Sequence, residues 1–230
     1  MKHLLKIIFI FLLFVVFGCK SGKYIADFDI VKKDIDTLTI IPTFVDIKAI
    51  QIDGKTCNDT IFDEKVSDTI SSIITDLLDT KYSIKKINNR NKINATIAND
   101  FNELFYRLNN SRKIITDISI PTSIINSFKY SKTRYCIITY YGGVYTTSER
   151  IKQNNNEVLP TSIAVAMLTL GSVYVVPSNQ NKTIIRVLLY DNREKKVLYY
   201  NSSFGNGVHP ISISTIKEYI YKNLKSIYYK

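Results

Sequence analysis

In 230 residues, 31 lysines and arginines stand against 20 aspartates and glutamates, for a formal net charge of +11. The length suits one sizeable domain or two small ones. The basic residues are scattered through a chain rich in Lys, Asn, Ile and Tyr, and form no cluster. This argues against nucleic acid as a partner and leaves anionic headgroups, lipopolysaccharide or an acidic protein as what the charge would face.

The first nineteen residues have three zones. Lys2, His3 and Lys6 are followed by an unbroken apolar run from Ile7 to Phe17, then by Gly18 and Cys19. A positive start, a short apolar stretch and a small residue before the cut form the layout of an export signal. Only thirteen uncharged residues, Ile7 to Cys19, precede Lys20, whereas a spanning helix needs about 20. "VFGC" (Val16 to Cys19) resembles the lipobox of bacterial lipoproteins. That resemblance implies a diacylglyceryl group on the Cys19 thiol, cleavage before Cys19 and an acyl chain, such as palmitate, on the new amine. Phe17 is larger than the residue usual at its place. Residues 1–18 are thus read as a signal peptide. Removing them takes away two of the basic residues and no acidic one, so the mature chain of 212 residues carries +9. Lys20 and Ser21 stand where an aspartate would signal inner-membrane retention, which favours the outer membrane.

Residues 19–36 are polar and weakly patterned and read as a tether, with room for a short edge strand at its end, and 37–230 as a single domain. From Leu38 a β-rich run is interrupted by Pro42, which cannot donate to a ladder and so predicts an edge position or bulge. "DGKTCND" (53–59) reads as a loop. Val66, Ile70, Ile73, Ile74, Leu77 and Leu78 have helical spacing, with Asp63 and Glu64 near the start, where negative charge suits the helix dipole. Tyr82–Ile87 reads as a short strand. A second helix carries Ile97, Ala98, Phe101, Leu104, Phe105 and Leu108 on one stripe, with Asn94 as cap. Pro121 opens a short third helix. "TRYCIITYYGGVYTTS" (133–148) is a strand whose Gly142–Gly143 pair predicts a bend or bulge.

Residues 158–177 hold no charge. Buried helix turning into buried strand is weighed against a hairpin that contacts membrane or another subunit, and the prolines, glycine and hydroxyl residues speak against a spanning helix. Thr183–Tyr190 and Lys196–Ser202 form a β-hairpin around "DNREKK". "FGNGVHP" (204–210) reads as a loop. Ile213, Ile216, Ile220, Leu224 and Ile227 give a terminal amphipathic helix with Ser212 or Ser214 as cap. The fold class expected is α/β (mixed α+β): one mixed sheet with about four helices, a C-terminal hairpin and a closing helix.

Little in the chain points to chemistry. The mature chain has one histidine, His209, in a loop, where catalysis is the minority use. Cys57 and Cys136 would be permitted a bridge by an oxidising periplasm, but two isolated thiols are the default. Zinc spacing is absent, and Asp27, Asp29, Asp34 and Asp36 lack the glycine and terminal glutamate of a calcium loop. "DGKT" (53–56) lacks the spacer of a phosphate loop. Tyr135, Tyr140, Tyr141 and Tyr145, and Tyr219, Tyr221, Tyr228 and Tyr229 on the last helix, are candidates for a glycan-stacking surface, with core and rim packing the stronger reading. Tyr135, Tyr141 and Tyr145 share one strand face and Tyr140 takes the other. Neither cofactor nor metal is expected.

"LTIIP", "IPTSIINSFKYSKTRYCIITYYGG" and "IAVAMLTLGSVYVVPSNQNKTIIRVLLYDNREKKVLYYNSS" together resemble Bacteroidota-type lipoproteins with a TolB amino-terminal or CsgG-like α/β domain. The likeness spans roughly residues 37–228. It implies an α/β body on a lipid anchor and a place in an envelope assembly, facing the periplasm. The expected function is a non-catalytic interaction or scaffold module with an envelope protein partner. An oligomeric secretion lipoprotein that inserts residues 158–177, and an envelope hydrolase built on His209, are the alternatives.

Overall fold

The computed structural model describes residues 22–51, 53–58, 60–87, 93–112, 114–126, 131, 133–152 and 181–229. Cys19 and residues 158–177 lie outside them.

The described residues form a mixed sheet of eight strands. They are β1 (Lys23–Tyr24), β2 (Thr37–Ile40), β3 (Phe44–Ile50), β4 (Thr56–Asn58), β5 (Ser83–Lys86), β6 (Tyr135–Thr146), β7 (Lys182–Asp191) and β8 (Lys196–Asn206). The helices are α1 (Phe28–Val31), α2 (Thr60–Leu78), α3 (Ala95–Asn110), α4 (Thr122–Asn126) and α5 (Ile213–Tyr228). Along the sheet the order is β1-β8-β7-β6-β2-β5, with β3 on the same side of β6 as β2, and β4 outside β3. The mixed α/β class expected from the sequence is the one found.

Both faces of the sheet are covered, so its central strands read as near-continuous apolar runs. One face packs Leu38, Ile137, Tyr141 and Val187 against Ile70 and Ile74 of α2 and Ile220 and Leu224 of α5. The other packs Phe44, Ile138, Tyr140 and Leu188 against Phe101, Leu104 and Phe105 of α3 and Ile124 of α4. The stripes predicted for the three long helices are those that face the sheet, except that Ile213, in the first turn of α5, is exposed. Asn94 caps α3 as expected, its side chain accepting from Ile97 N–H at 2.9 Å. Asp63 does more than favour the dipole of α2: its carboxylate accepts from Ile47 N–H at 3.0 Å, tying the helix start to β3.

Pro42 sits at a bulge. The register against β6 passes from Ile40↔Ile137 to Phe44↔Tyr140, so the β2–β3 course carries one extra residue there. Gly142 and Gly143, by contrast, mark no bulge in their strand. The register of β6 with β3 and β7 runs through both without a shift. A Cβ on Gly143 would lie 2.5 Å from Pro210 Cβ, so this glycine admits the loop before α5 onto the sheet. Tyr141 donates to the Pro210 carbonyl at 2.5 Å in the same place. "DGKTCND" is a hairpin connection and not only a loop: Gly54 takes φ +80 and Thr56–Asn58 returns along β3. "FGNGVHP" likewise begins in strand, since β8 continues to Asn206.

The largest departure is at residues 22–36. They are part of the domain. Lys23 and Tyr24 pair with Tyr200 and Tyr199 of β8. Phe28 and Ile35 are core residues at 3% and 4% exposure, and Phe28 stacks on Tyr199 with ring centres 5.4 Å apart. Full burial of such a ring contributes about 1.5–3 kcal/mol, which a free tether could not forgo. The tether expected over residues 19–36 is thus corrected for residues 22–36, which pack into the sheet and core.

The carboxyl end of α5 shows how far-apart basic residues complete a helix. Its last carbonyls have no intrahelical partner. Lys32 Nζ reaches Ser226 O at 2.6 Å and also Tyr229 O. Lys81 Nζ reaches Ile227 O and Tyr228 O, and Tyr82 Oη donates to Ile227 O at 2.9 Å. Two ammonium groups at this negative end also favour the dipole.

Candidate functional site

A cleft of about 440 Å³ opens where the described chain begins, between β1, the end of α3 and the middle of β8. Three local features build it. Gly22 takes φ +103, and a Cβ there would come within 2.9 Å of Tyr200 O and 3.0 Å of the Tyr199 ring, so only glycine lets the chain run this close to β8. Lys23 then points its ammonium at the carboxyl end of α3, donating to Asn109 O at 2.7 Å and Ser111 O at 2.5 Å. Tyr200 Oη donates to Asn109 Oδ1 at 2.9 Å from the sheet side. Partial burial lowers the Lys23 pKa below the usual lysine value, while burial raises that of the Tyr200 phenol. On its outer side β1 is covered by the chain after α3, Ile115 N–H donating to Tyr24 O at 2.9 Å. The cleft lining carries one lysine, hydroxyls and amides, and no carboxylate. Arg112 and Ile114, both exposed, flank it in the chain.

None of these residues stood out in the sequence. Lys23 and Asn109 are 86 positions apart, and their types are ordinary for a polar surface. Gly22, three residues after a lipobox-type cysteine, is the one local signal that the chain enters a tight place.

The residues that did stand out are dispersed. His209 lies in the loop before α5, its ring 4.7 Å from that of Tyr145. Its Nδ1 accepts from Ile211 N–H at 3.4 Å, and burial lowers its pKa. This arrangement accounts for it as a packed loop residue. Tyr135, Tyr140 and Tyr141 are buried and Tyr145 is half-buried. As expected, Tyr135, Tyr141 and Tyr145 share one core face and Tyr140 the other. Tyr219 and Tyr228 pack on the core, whereas Tyr221 and Tyr229 are exposed. Asp27, Asp29, Asp34 and Asp36 surround α1 and the turn after it, and no three potential metal ligands converge among the described residues. No helix among the described residues is long and apolar enough to cross a membrane.

Cys57 and Cys136 are free thiols. Cys136 stands opposite Thr39 and Cys57 opposite Ala49, ten positions further along the β2–β3 course. At about 3.3 Å per residue they are roughly 30 Å apart, far beyond the ~7 Å that a bridge allows. Cys136 is fully buried. Burial raises its pKa, against hydrogen bonds from Ser131 and Thr133 that lower it. A polar maleimide is therefore expected to modify half-buried Cys57 in the native protein and to reach Cys136 only after unfolding. Mass spectrometry of the two peptides checks this, and equal modification of both under native conditions would refute the packing.

The class these features define is a three-layer α/β domain, a mixed sheet with helices on both faces. No family model matches the chain, and no curated protein matches it. Among solved structures it is similar to the PelC dodecamer from Paraburkholderia phytofirmans, at 10% identity over 92% of this chain and 95% of that chain, with a TM-score of 0.37. It is also similar to the hypothetical protein CT253 from Chlamydia trachomatis, at 10% identity over 75% of this chain and 73% of that one, with a TM-score of 0.28.

Proposed function

We propose that this protein is a non-catalytic lipoprotein of the bacterial cell envelope, an interaction module held on the outer membrane by acylated Cys19 and facing the periplasm. One observation carries the reading. An apolar run too short to span, ending in Gly18–Cys19, is followed four residues after Cys19 by a strand paired with β8. That junction suits a mature chain that starts at Cys19, with its fold built immediately behind the anchor. Each buried methylene contributes about 0.8 kcal/mol, so one chain binds marginally and the two or three of a processed lipobox cysteine hold permanently. The prominent reactive groups, His209 and Cys136, are accounted for by packing, which favours recruitment of an envelope protein over a reaction.

Metabolic labelling with an alkyne palmitate analogue tests the anchor. The wild-type chain is expected to take up label, lose residues 1–18 and stay with membranes through an alkaline carbonate wash. Cys19→Ala is expected to take up none and to be left unprocessed. A variant processed normally and still sedimenting with vesicles would end the reading. Crosslinking in native membranes that returns only the lone chain would end its recruiting part.

A further inference from the structure

The geometry points to a defined membrane-facing surface: the corner formed by the Lys23 cleft, Arg112 and Ile114 rests against the phosphate headgroups of the bilayer that holds Cys19. This rests on the lipid-anchor reading above and adds an orientation to it.

The first argument is reach. Gly22 is fixed against β8, and three residues lead from Cys19 to it. Fully extended, three residues span at most about 11 Å, roughly the depth of a headgroup layer rather than of a gap. A body tied so closely can turn only a small part of its surface to the bilayer, and that part must include the point where the chain emerges. The second argument is chemistry. The emergence point has a cationic lysine beside hydroxyl and amide donors with no carboxylate in the cleft lining. Arg112 follows directly on Ser111 of that lining and is exposed. Ile114 is 48% exposed although its neighbour Ile115 is buried in the core. A basic pair with an exposed branched apolar side chain suits an interface that is anionic outside and hydrocarbon just beneath. Ile114 is held in place, since it forms a parallel bridge with Tyr24 of β1.

The test uses the full acylated chain, purified from membranes and reconstituted in vesicles of phosphatidylcholine with phosphatidylglycerol. Cys57→Ser supplies a background in which buried Cys136 is the remaining free thiol. Into it go Ile114→Cys or, as a control, Lys55→Cys, each labelled with a small fluorophore. Lys55 lies in the β3–β4 hairpin with its side chain 84% exposed. That hairpin is at the opposite edge of the sheet from β1, five strand spacings or about 24 Å away. Lipids bearing a headgroup nitroxide are expected to quench the label at 114 at least about two-fold more than the label at 55. Adding Arg112→Glu is expected to weaken quenching at 114 while the protein stays with the vesicles. Equal quenching at both sites, or more at 55, with protein retained, overturns the orientation alone. Quenching at 114 unmoved by Arg112→Glu overturns the headgroup contact. Protein that fails to stay with vesicles overturns the anchor and the orientation together.

Discussion

Above pH 10 the fold is expected to lose stability steeply and to unfold before pH 12, because it buries its tyrosines as neutral phenols. Burial raises the pKa of Tyr82, Tyr140, Tyr190 and Tyr199 to about 12. Each ring is under 8% exposed. In the unfolded chain a phenol ionises near pH 10. Between about pH 10 and 12 the unfolded state therefore holds fewer protons than the native state, and stability falls as pH rises. Below pH 10 the contribution is fully present. For Tyr140 and Tyr199 alone, two pH units at about 1.4 kcal/mol each amount to ~5 kcal/mol, comparable with the whole stability of many domains. Far-ultraviolet dichroism and tyrosinate absorbance should change together in one cooperative step. Tyr199→Phe removes one titrating group and the bond its hydroxyl donates to Asn223 O at 2.6 Å. It should flatten the alkaline limb by about 1.4 kcal/mol per pH unit while costing about 1 kcal/mol at neutral pH. Tyrosinate absorbance that rises gradually near pH 10 with the dichroism unchanged would contradict this burial.

Phe101→Ala should be the most damaging truncation on the α3 face. Phe101 is fully buried and meets Phe44 edge-on at 4.8 Å, Phe105 in a stack at 5.3 Å and Tyr140 at 5.1 Å. Removing the ring deletes its transfer free energy and leaves a cavity among three aromatic neighbours that cannot close it, for a cost of about 3–5 kcal/mol. At 2–4 °C per kcal/mol for a domain of this size, the midpoint should fall by roughly 10 °C. Phe101→Leu keeps most of the volume and should cost about 1–2 kcal/mol. Urea unfolding of the three proteins distinguishes these values, and an alanine variant within 1 kcal/mol of wild type would show that α3 does not depend on this contact. The consequence reaches the proposed membrane face, because the end of α3 supplies the carbonyls that hold Lys23.

How much of this was legible beforehand follows the range of each interaction. The stripes of α2, α3 and α5, the Asn94 cap and the β7–β8 hairpin depend on residues a few positions apart, and their pattern is visible in the chain. Pro42 announced its bulge because a missing N–H is a local defect. The short run from Gly22 to Asp36 gave no such pattern. Its folding depends on Tyr199 and Tyr200, some 175 residues away, accepting Lys23 and Tyr24 as an edge strand. Gly142–Gly143 misled for a related reason. Glycine in a strand signals either a bend or a close approach, and what approaches is Pro210, brought there by the loop before α5. The same applies to the candidate site, whose lysine, amide and tyrosine come from three separated segments.

The sequence alone determined the helical faces, the terminal hairpin and the α/β class, since each is written in neighbours along the chain. The tertiary structure decided which strands lie side by side, that Lys23 and Tyr24 pair with β8, and that Cys57 and Cys136 stand too far apart to join. The physical reason is the same throughout: strand order and burial are set by contacts between segments that the chain separates by dozens of residues, and no local pattern encodes which of many apolar runs will meet.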